Sequence, residues 1–144
     1  MLIPRKRAVR YNGRPMEKCV FTVSEARRVL PLVKELAARM VAISGRIESC
    51  REVVQGVAAK NASNSGSPEG TVFVEQLIAL QSCLNQMQAT GCLVKSVQEG
   101  LVDFPHLKDG REVYLCWKLG EEDIQFWHEV DGGFARRTPL SETQ

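Results

Sequence analysis

The chain has 144 residues, 44% of them hydrophobic and 25% charged, with a formal net charge of +2. This length suits one domain with its own core and no need of disulfide staples, and the composition is that of a globular protein rather than a disordered one. No apolar run approaches the ~18 residues of a membrane helix, and the start MLIPRKRAVRYNGRP lacks the apolar stretch of a secretory signal, so a cytoplasmic protein without membrane attachment is expected.

The charge is unevenly placed. Residues 1–20 hold six basic groups and one acid, net +5, and the rest hold 13 basic and 16 acidic groups, net −3. The first 20 residues read as a basic, partly disordered arm that keeps the protein soluble. Used for binding, such an arm would take phosphate-rich or acidic partners weakly and with a steep dependence on salt. Residues 73–88, read below as part of the second helix, carry no basic stripe, which argues against a dedicated nucleic-acid surface. The five cysteines (Cys19, Cys50, Cys83, Cys92, Cys116) are odd in number and contain no C-x-x-C pair. They read as buried free thiols in a reducing compartment.

The first helix is announced by Phe21-Thr22-Val23-Ser24-Glu25. Thr22 is a good N-cap, Glu25 completes a capping box, and Phe21 stands at the staple position. Pro31 lies inside the helical pattern and should kink the helix or split off its first turns. Beyond it Val33, Leu36, Met40, Ile43, Ile47, Cys50, Val54 and Val57 alternate at spacings of three and four, the seam of a coiled coil. At 1.5 Å per residue that seam spans ~37 Å. Residues 60–70 are rich in turn formers and read as a flexible loop, with Ser67-Pro68 starting the next helix. Phe73, Leu77, Leu80, Leu84 and Met87 form its seam, and Gly91 ends it. Two seamed helices joined by a short loop fold back as an antiparallel hairpin.

From Cys92 the period becomes two. Leu93–Val97 is a strand, and Leu101–Phe104 a short extended piece ended by Pro105. A turn at Asp109-Gly110 leads into Arg111–Lys118, the clearest strand. There Val113, Leu115 and Trp117 face one side and Glu112, Tyr114 and Cys116 the other. Ile124, Phe126 and His128 alternate with Gln125, Trp127 and Glu129, and Asp131-Gly132-Gly133 closes the sheet. The expected fold is α+β: a helical hairpin over 22–91 and an antiparallel sheet over 92–130, in one domain of residues 21–140, followed by a tail at 141–144.

Chemistry-bearing residues concentrate in 100–137, which hold six of the nine aromatics and both histidines. His128 shares a face with apolar neighbours, where an imidazole can be a base, a ligand or simply a hydrogen-bonded core residue. Asp103, between Val102 and Phe104, needs a partner, most simply an arginine (Arg111, Arg136 or Arg137) or backbone donors. Glu121-Glu122-Asp123 reads as a solvated turn, and Cys116, His128 and Glu129 match no standard zinc spacing, so no metal and no cofactor is expected. A Cys116 nucleophile with His128 as base is a weak reading, because His128 could lie far from the Cys116 face. Trp117 and Trp127, on adjacent strands, could stack on a base or a sugar but more often supply core area.

FTVSEARRVLP, followed after the hairpin by GLVDFP, DGREVYLCW, LGE and FWHEVDGGFARR, resembles a bacterial family known only as a domain of unknown function, over roughly residues 20–140. Asp103, Phe104, Pro105, Arg111, Cys116, Trp117, Glu121, Trp127, His128 and Arg137 match its pattern. The resemblance implies a cytoplasmic bacterial protein and carries no activity, substrate or cofactor.

Two functional readings remain. The first is a non-enzymatic module that self-associates through its hairpin, because the short sheet cannot cover so long a helix; a second copy would complete a four-helix bundle and give a homodimer at micromolar concentration. The alternative is a small-molecule or enzymatic site on the sheet. There Asp103 and Glu121 would be acids, His128 a base or ligand, Arg111 and Arg137 an anion clamp, and Trp117 and Trp127 aromatic walls. That reading requires these side chains to converge on a pocket.

Overall fold

The computed structural model describes residues 6–11, 14–60 and 68–141. Within the basic arm, β1 (Lys6–Tyr11) and β2 (Arg14–Cys19) pair as an antiparallel hairpin, from Lys6 opposite Cys19 to Tyr11 opposite Arg14. These strands carry no apolar alternation, so in the sequence they read only as charge.

The first helix, α1 (Val23–Lys60), starts where its capping box places it. The Glu25 backbone N–H donates to Thr22 Oγ1 at 3.1 Å, and the Thr22 N–H donates to Glu25 Oε2 at 3.0 Å. Two otherwise orphaned donors are satisfied reciprocally. Pro31 does not split off the first turns, because α1 runs through it uninterrupted. Leu30 and Val33, on either side, are both buried and hold the two segments in one core, which offsets the lost backbone bond.

The second helix, α2 (Pro68–Ala89), packs antiparallel on α1 and ends at Gly91, φ 89°. The flexible loop expected over 60–70 falls largely on residues 61–67, outside the described residues. The seam of α2 keeps four of its five expected residues, with Phe73, Leu80, Leu84 and Met87 packed on the core. Cys83 and Met87 are its buried positions, the Cys83 thiol donates to the Leu36 carbonyl at 3.3 Å, and Leu77 is exposed.

The C-terminal part is a five-stranded antiparallel sheet in simple order: β3 (Leu93–Ser96), β4 (Leu101–Lys108), β5 (Arg111–Lys118), β6 (Phe126–Glu129) and β7 (Thr138–Pro139). It therefore runs past residue 130. A 3₁₀ turn at Phe134–Arg136 carries the tail back, and the Leu140 N–H donates to the Gln125 carbonyl at 2.8 Å. Asp109 (φ 52°) and Gly110 (φ 76°) form the two-residue turn between β4 and β5, with the paired positive φ of a type I′ hairpin.

Pro105 does not end β4. It sits inside the strand opposite Tyr114, and its carbonyl accepts the Phe21 N–H at 2.7 Å. β3 has stopped by then, its last partner being Leu93 opposite Asp103. The side of Pro105 that lacks an N–H therefore faces an edge and not a neighbouring strand.

One face of the sheet, with Val102, Phe104, Leu115 and Trp117, joins Phe21, Leu30, Val33, Leu36 and Met40 in a single core. Phe21 and Phe104 meet edge to face at 5.4 Å, and each such buried side chain contributes about 1.5–3 kcal/mol. The core runs out along the hairpin. Among the described side chains none of α1 beyond Ile47 and none of α2 before Cys83 is buried. The sheet thus sits at one end of an α+β molecule, and the far half of the hairpin stands clear of it.

Candidate functional site

Register decides which polar residues of the sheet meet. Asp103 on β4 lies directly opposite Cys116 on β5, and Tyr114 on β5 lies opposite His128 on β6. With side chains alternating along each strand, Asp103, Tyr114, Cys116, Phe126 and His128 all project from the face that does not meet the helices. That face is covered by single side chains. Lys18 and Lys95 lie over the Tyr114 ring, at 5.8 and 4.8 Å, and Arg137 lies between the rings of Phe126 and Phe134, at 4.2 and 4.0 Å.

Beneath this cover Asp103, Cys116 and His128 are exposed by only 1%, 0% and 2%. His128 Nε2 lies 3.0 Å from Asp103 Oδ2, and Nδ1 lies 2.7 Å from the Glu129 carbonyl. A carbonyl only accepts, so Nδ1 carries a hydrogen. Asp103 Oδ1 has no hydrogen-bond partner. Burial pushes the Asp103 carboxyl above its ordinary value, while His128, the Cys116 thiol and Lys95 pull it back. Burial, reinforced by the neighbouring carboxylate, pushes the Cys116 thiol up to about 12.

Asp103 was expected to find an arginine and instead finds His128, because those arginines are engaged elsewhere or lie off the strand. Arg111 bonds Glu129 Oε1 at 2.6 Å on the exposed surface. Arg137 Nη1 donates to Glu121 Oε1 at 2.6 Å, and Arg136 belongs to the 3₁₀ turn. Nor does His128 lie away from the Cys116 face; the two share it. A thiol held protonated beside an imidazole whose two nitrogens are already engaged is nonetheless no nucleophile–base pair.

The other sequence candidates do not converge on this cluster. Trp117 is buried opposite Val102 and its Nε1–H donates to the Glu121 carbonyl at 2.9 Å, while Trp127 faces Leu115 on the core side under the Lys108 ammonium at 5.3 Å. Glu121 also accepts the Lys118 N–H at 2.9 Å. Asp123 pairs with Arg27 at 3.2 Å, away from Glu121. Glu121 and Asp123 are thus pinned separately and form no chelating cluster.

The sequence also missed an open cleft of about 710 Å³, lined by Thr22, Ser24, Arg27, Arg28, His106 and Lys108 among others. It is basic, and the start of α1 opens onto it. The Glu25 N–H of the first turn is already capped by Thr22, Arg27 is held by Asp123, and His106 Nδ1 bonds the Phe21 carbonyl at 2.8 Å. Two stretches some 80 residues apart build it, with no local motif in either.

A family described as "Uncharacterized conserved protein (DUF2203)" matches residues 19–140. The chain belongs to that family. The DUF2203 match takes in α1, α2 and the whole sheet, including Asp103, Cys116 and His128, and leaves out most of the N-terminal hairpin. No curated protein and no solved structure matches the chain. No helix among the described residues is long and apolar enough to cross a membrane.

Proposed function

We propose that this DUF2203 chain is a non-enzymatic interaction module that pairs with a second copy of itself through the far half of its helical hairpin. The observation that carries the reading is the exposed apolar side of that half. Ile78 is 65%, Val74 52% and Leu77 41% exposed on α2, and Val53 is exposed on α1. Val74, Leu77 and Ile78 lie on one side of α2 by their spacing, turned from the Cys83–Met87 side that meets α1.

A second copy suits this surface better than a charged partner. From Gln76 to Gly91 the chain has no charged residue. Its exposed polar groups there include Gln81, Asn85 and Gln86, whose amides donate and accept alike. A two-fold interface sets a patch against its own image, so charges of one sign would repel and amides would not. The far half of α2, residues 68–82, is ~22 Å long. Two helices side by side, ~20 Å wide, offer a footprint there of roughly 450 Å², about half of the ~800 Å² per partner of a standard interface, which suits a concentration-dependent pairing.

Light scattering on the purified chain tests this. Twice the 16.1 kDa chain mass is expected, falling to the single mass in the Leu77→Lys/Ile78→Glu variant, with the far-ultraviolet circular dichroism of the fold retained. A monomer at the highest soluble concentration of the unaltered chain would refute the reading.

A further inference from the structure

On the sheet face away from the helices, the Asp103–Cys116–His128 cluster brings nitrogen, oxygen and sulfur donor atoms together in a buried place. The Nδ1–H of His128 is committed to the Glu129 carbonyl, so a neutral ring turns a lone pair at Nε2 toward Asp103 Oδ2, 3.0 Å away. Two lone pairs do not sit face to face at that distance without a cation between them. A proton can fill the role, and so can a metal ion. Asp103 Oδ1 is a second buried acceptor without a partner, and Cys116 Sγ is a third soft donor. One ligand atom from each of the three residues falls within 4.8 Å of the others.

We propose that Asp103, Cys116 and His128 form a structural binding site for a divalent cation of zinc type, with one carboxylate oxygen of Asp103, Cys116 Sγ and His128 Nε2 as ligands. The distances suit such an ion. Zinc bonds of about 2.0–2.2 Å to nitrogen and oxygen set those atoms about 3.3 Å apart in a tetrahedron, and a sulfur at about 2.3 Å lies about 3.6 Å from either. The observed 3.0 Å needs only a small widening. A set of sulfur, nitrogen and oxygen donors selects zinc and its first-row neighbours over magnesium or calcium, which take oxygen alone. The Nδ1–H···O=C bond to Glu129 is the outer-shell contact that fixes a ligating imidazole.

Charge balances in the exchange. Cys116 releases its thiol proton and the Asp103–His128 pair releases the proton it shares. Two protons leave for one divalent ion, and the net charge of the buried cluster is unchanged. With ligands at most 2% exposed, no position opens to a substrate. The ion would tie β4, β5 and β6 together and take no part in turnover. The sequence spacing hides the site because its ligands come one from each of three adjacent strands. It lies apart from the hairpin surface, so it stands or falls independently of self-association.

The test is titration of the full chain, stripped with chelator, by Co²⁺ as a spectroscopic probe and then by Zn²⁺. Expected are one ion per chain, a near-ultraviolet thiolate-to-cobalt band that Zn²⁺ abolishes, and a rise in melting temperature. Cys116→Ser should remove the band and weaken binding by more than about 100-fold, the upper end of what an outer-shell loss costs. Cys50→Ser should change neither. Absence of a band in the unaltered chain overturns the proposal whether or not any variant folds, and so does a band that survives in Cys116→Ser.

Discussion

Replacing His128 by alanine in metal-free protein should be among the most damaging single changes on the sheet, and the damage should depend on pH. The imidazole gives Asp103 its one strong partner, and Asp103 is 1% exposed with its other oxygen already unpaired. Breaking a buried pair by removing one member costs about 3–5 kcal/mol. At a urea slope of about 2 kcal/mol per molar the midpoint should fall by about 1.5–2.5 M. Burial already holds the Asp103 carboxyl above its ordinary 3.8. A carboxyl raised on folding contributes most below that value, and its contribution is lost as pH rises through the folded value. Removing His128 takes away the leading influence that opposes the rise, so the deficit should be small near pH 4 and full near pH 8. Asp103→Asn is the control. Its amide can donate to the Nε2 lone pair while Nδ1–H keeps Glu129, and the expected cost is only about 1 kcal/mol. Urea unfolding of both variants at the two pH values decides the matter. Equal losses in the two variants, or a His128→Ala deficit that ignores pH, would refute the account of this pair.

The thiols should make the fold sensitive to alkali. Cys92 and Cys116 are both pushed up to about 12 from 9.0, so their contribution is intact below pH 9 and drains away as pH rises toward 12, at about 1.4 kcal/mol per pH unit for each; chemical denaturation of Cys92→Ala/Cys116→Ala across that window should show a flatter profile. Gly100→Ala should cost about 3 kcal/mol and Gly110→Ala about 1 kcal/mol. Both have positive φ, but only at Gly100 would the added Cβ meet another atom, Leu119 Cβ at 2.7 Å; melting temperatures separate the two at about 2–4 °C per kcal/mol. Thr22→Ala should cost about 1 kcal/mol by opening the capping box, seen as a lower melting point with unchanged helix content.

Much of the fold was legible because its signals are local. The capping box at Thr22 and Glu25, the Asp109-Gly110 turn and the alternation of Val113, Leu115 and Trp117 each lie within a few residues, and each forms as read. What escaped depends on partners distant in sequence. Pro105 stays in its strand because β3 ends early, and Pro31 stays in its helix because both flanks are buried. The α2 seam takes Cys83 because of what α1 offers opposite it, the Leu36 carbonyl. The meeting of Asp103, Cys116 and His128 needed two strand registers at once. One is set by the tight Asp109-Gly110 turn, but the other spans the turn around Gly120 over residues 119–125, which predicts an antiparallel hairpin and leaves its register open.

Pro105 has a consequence for crowded conditions. A strand adding to the sheet beside β4 would need a backbone donor where proline has none, and the Pro105 carbonyl there is already taken by Phe21. At the same edge β3 is four residues long and irregular between Val94 and Ser96, with Lys95 at the break, and the opposite edge strand β7 ends in Pro139. Short length, irregular pairing, lysine and proline are the features that keep sheet edges from aggregating. Both edges of this sheet therefore carry the features that disfavour its growth into fibrils or edge-to-edge dimers.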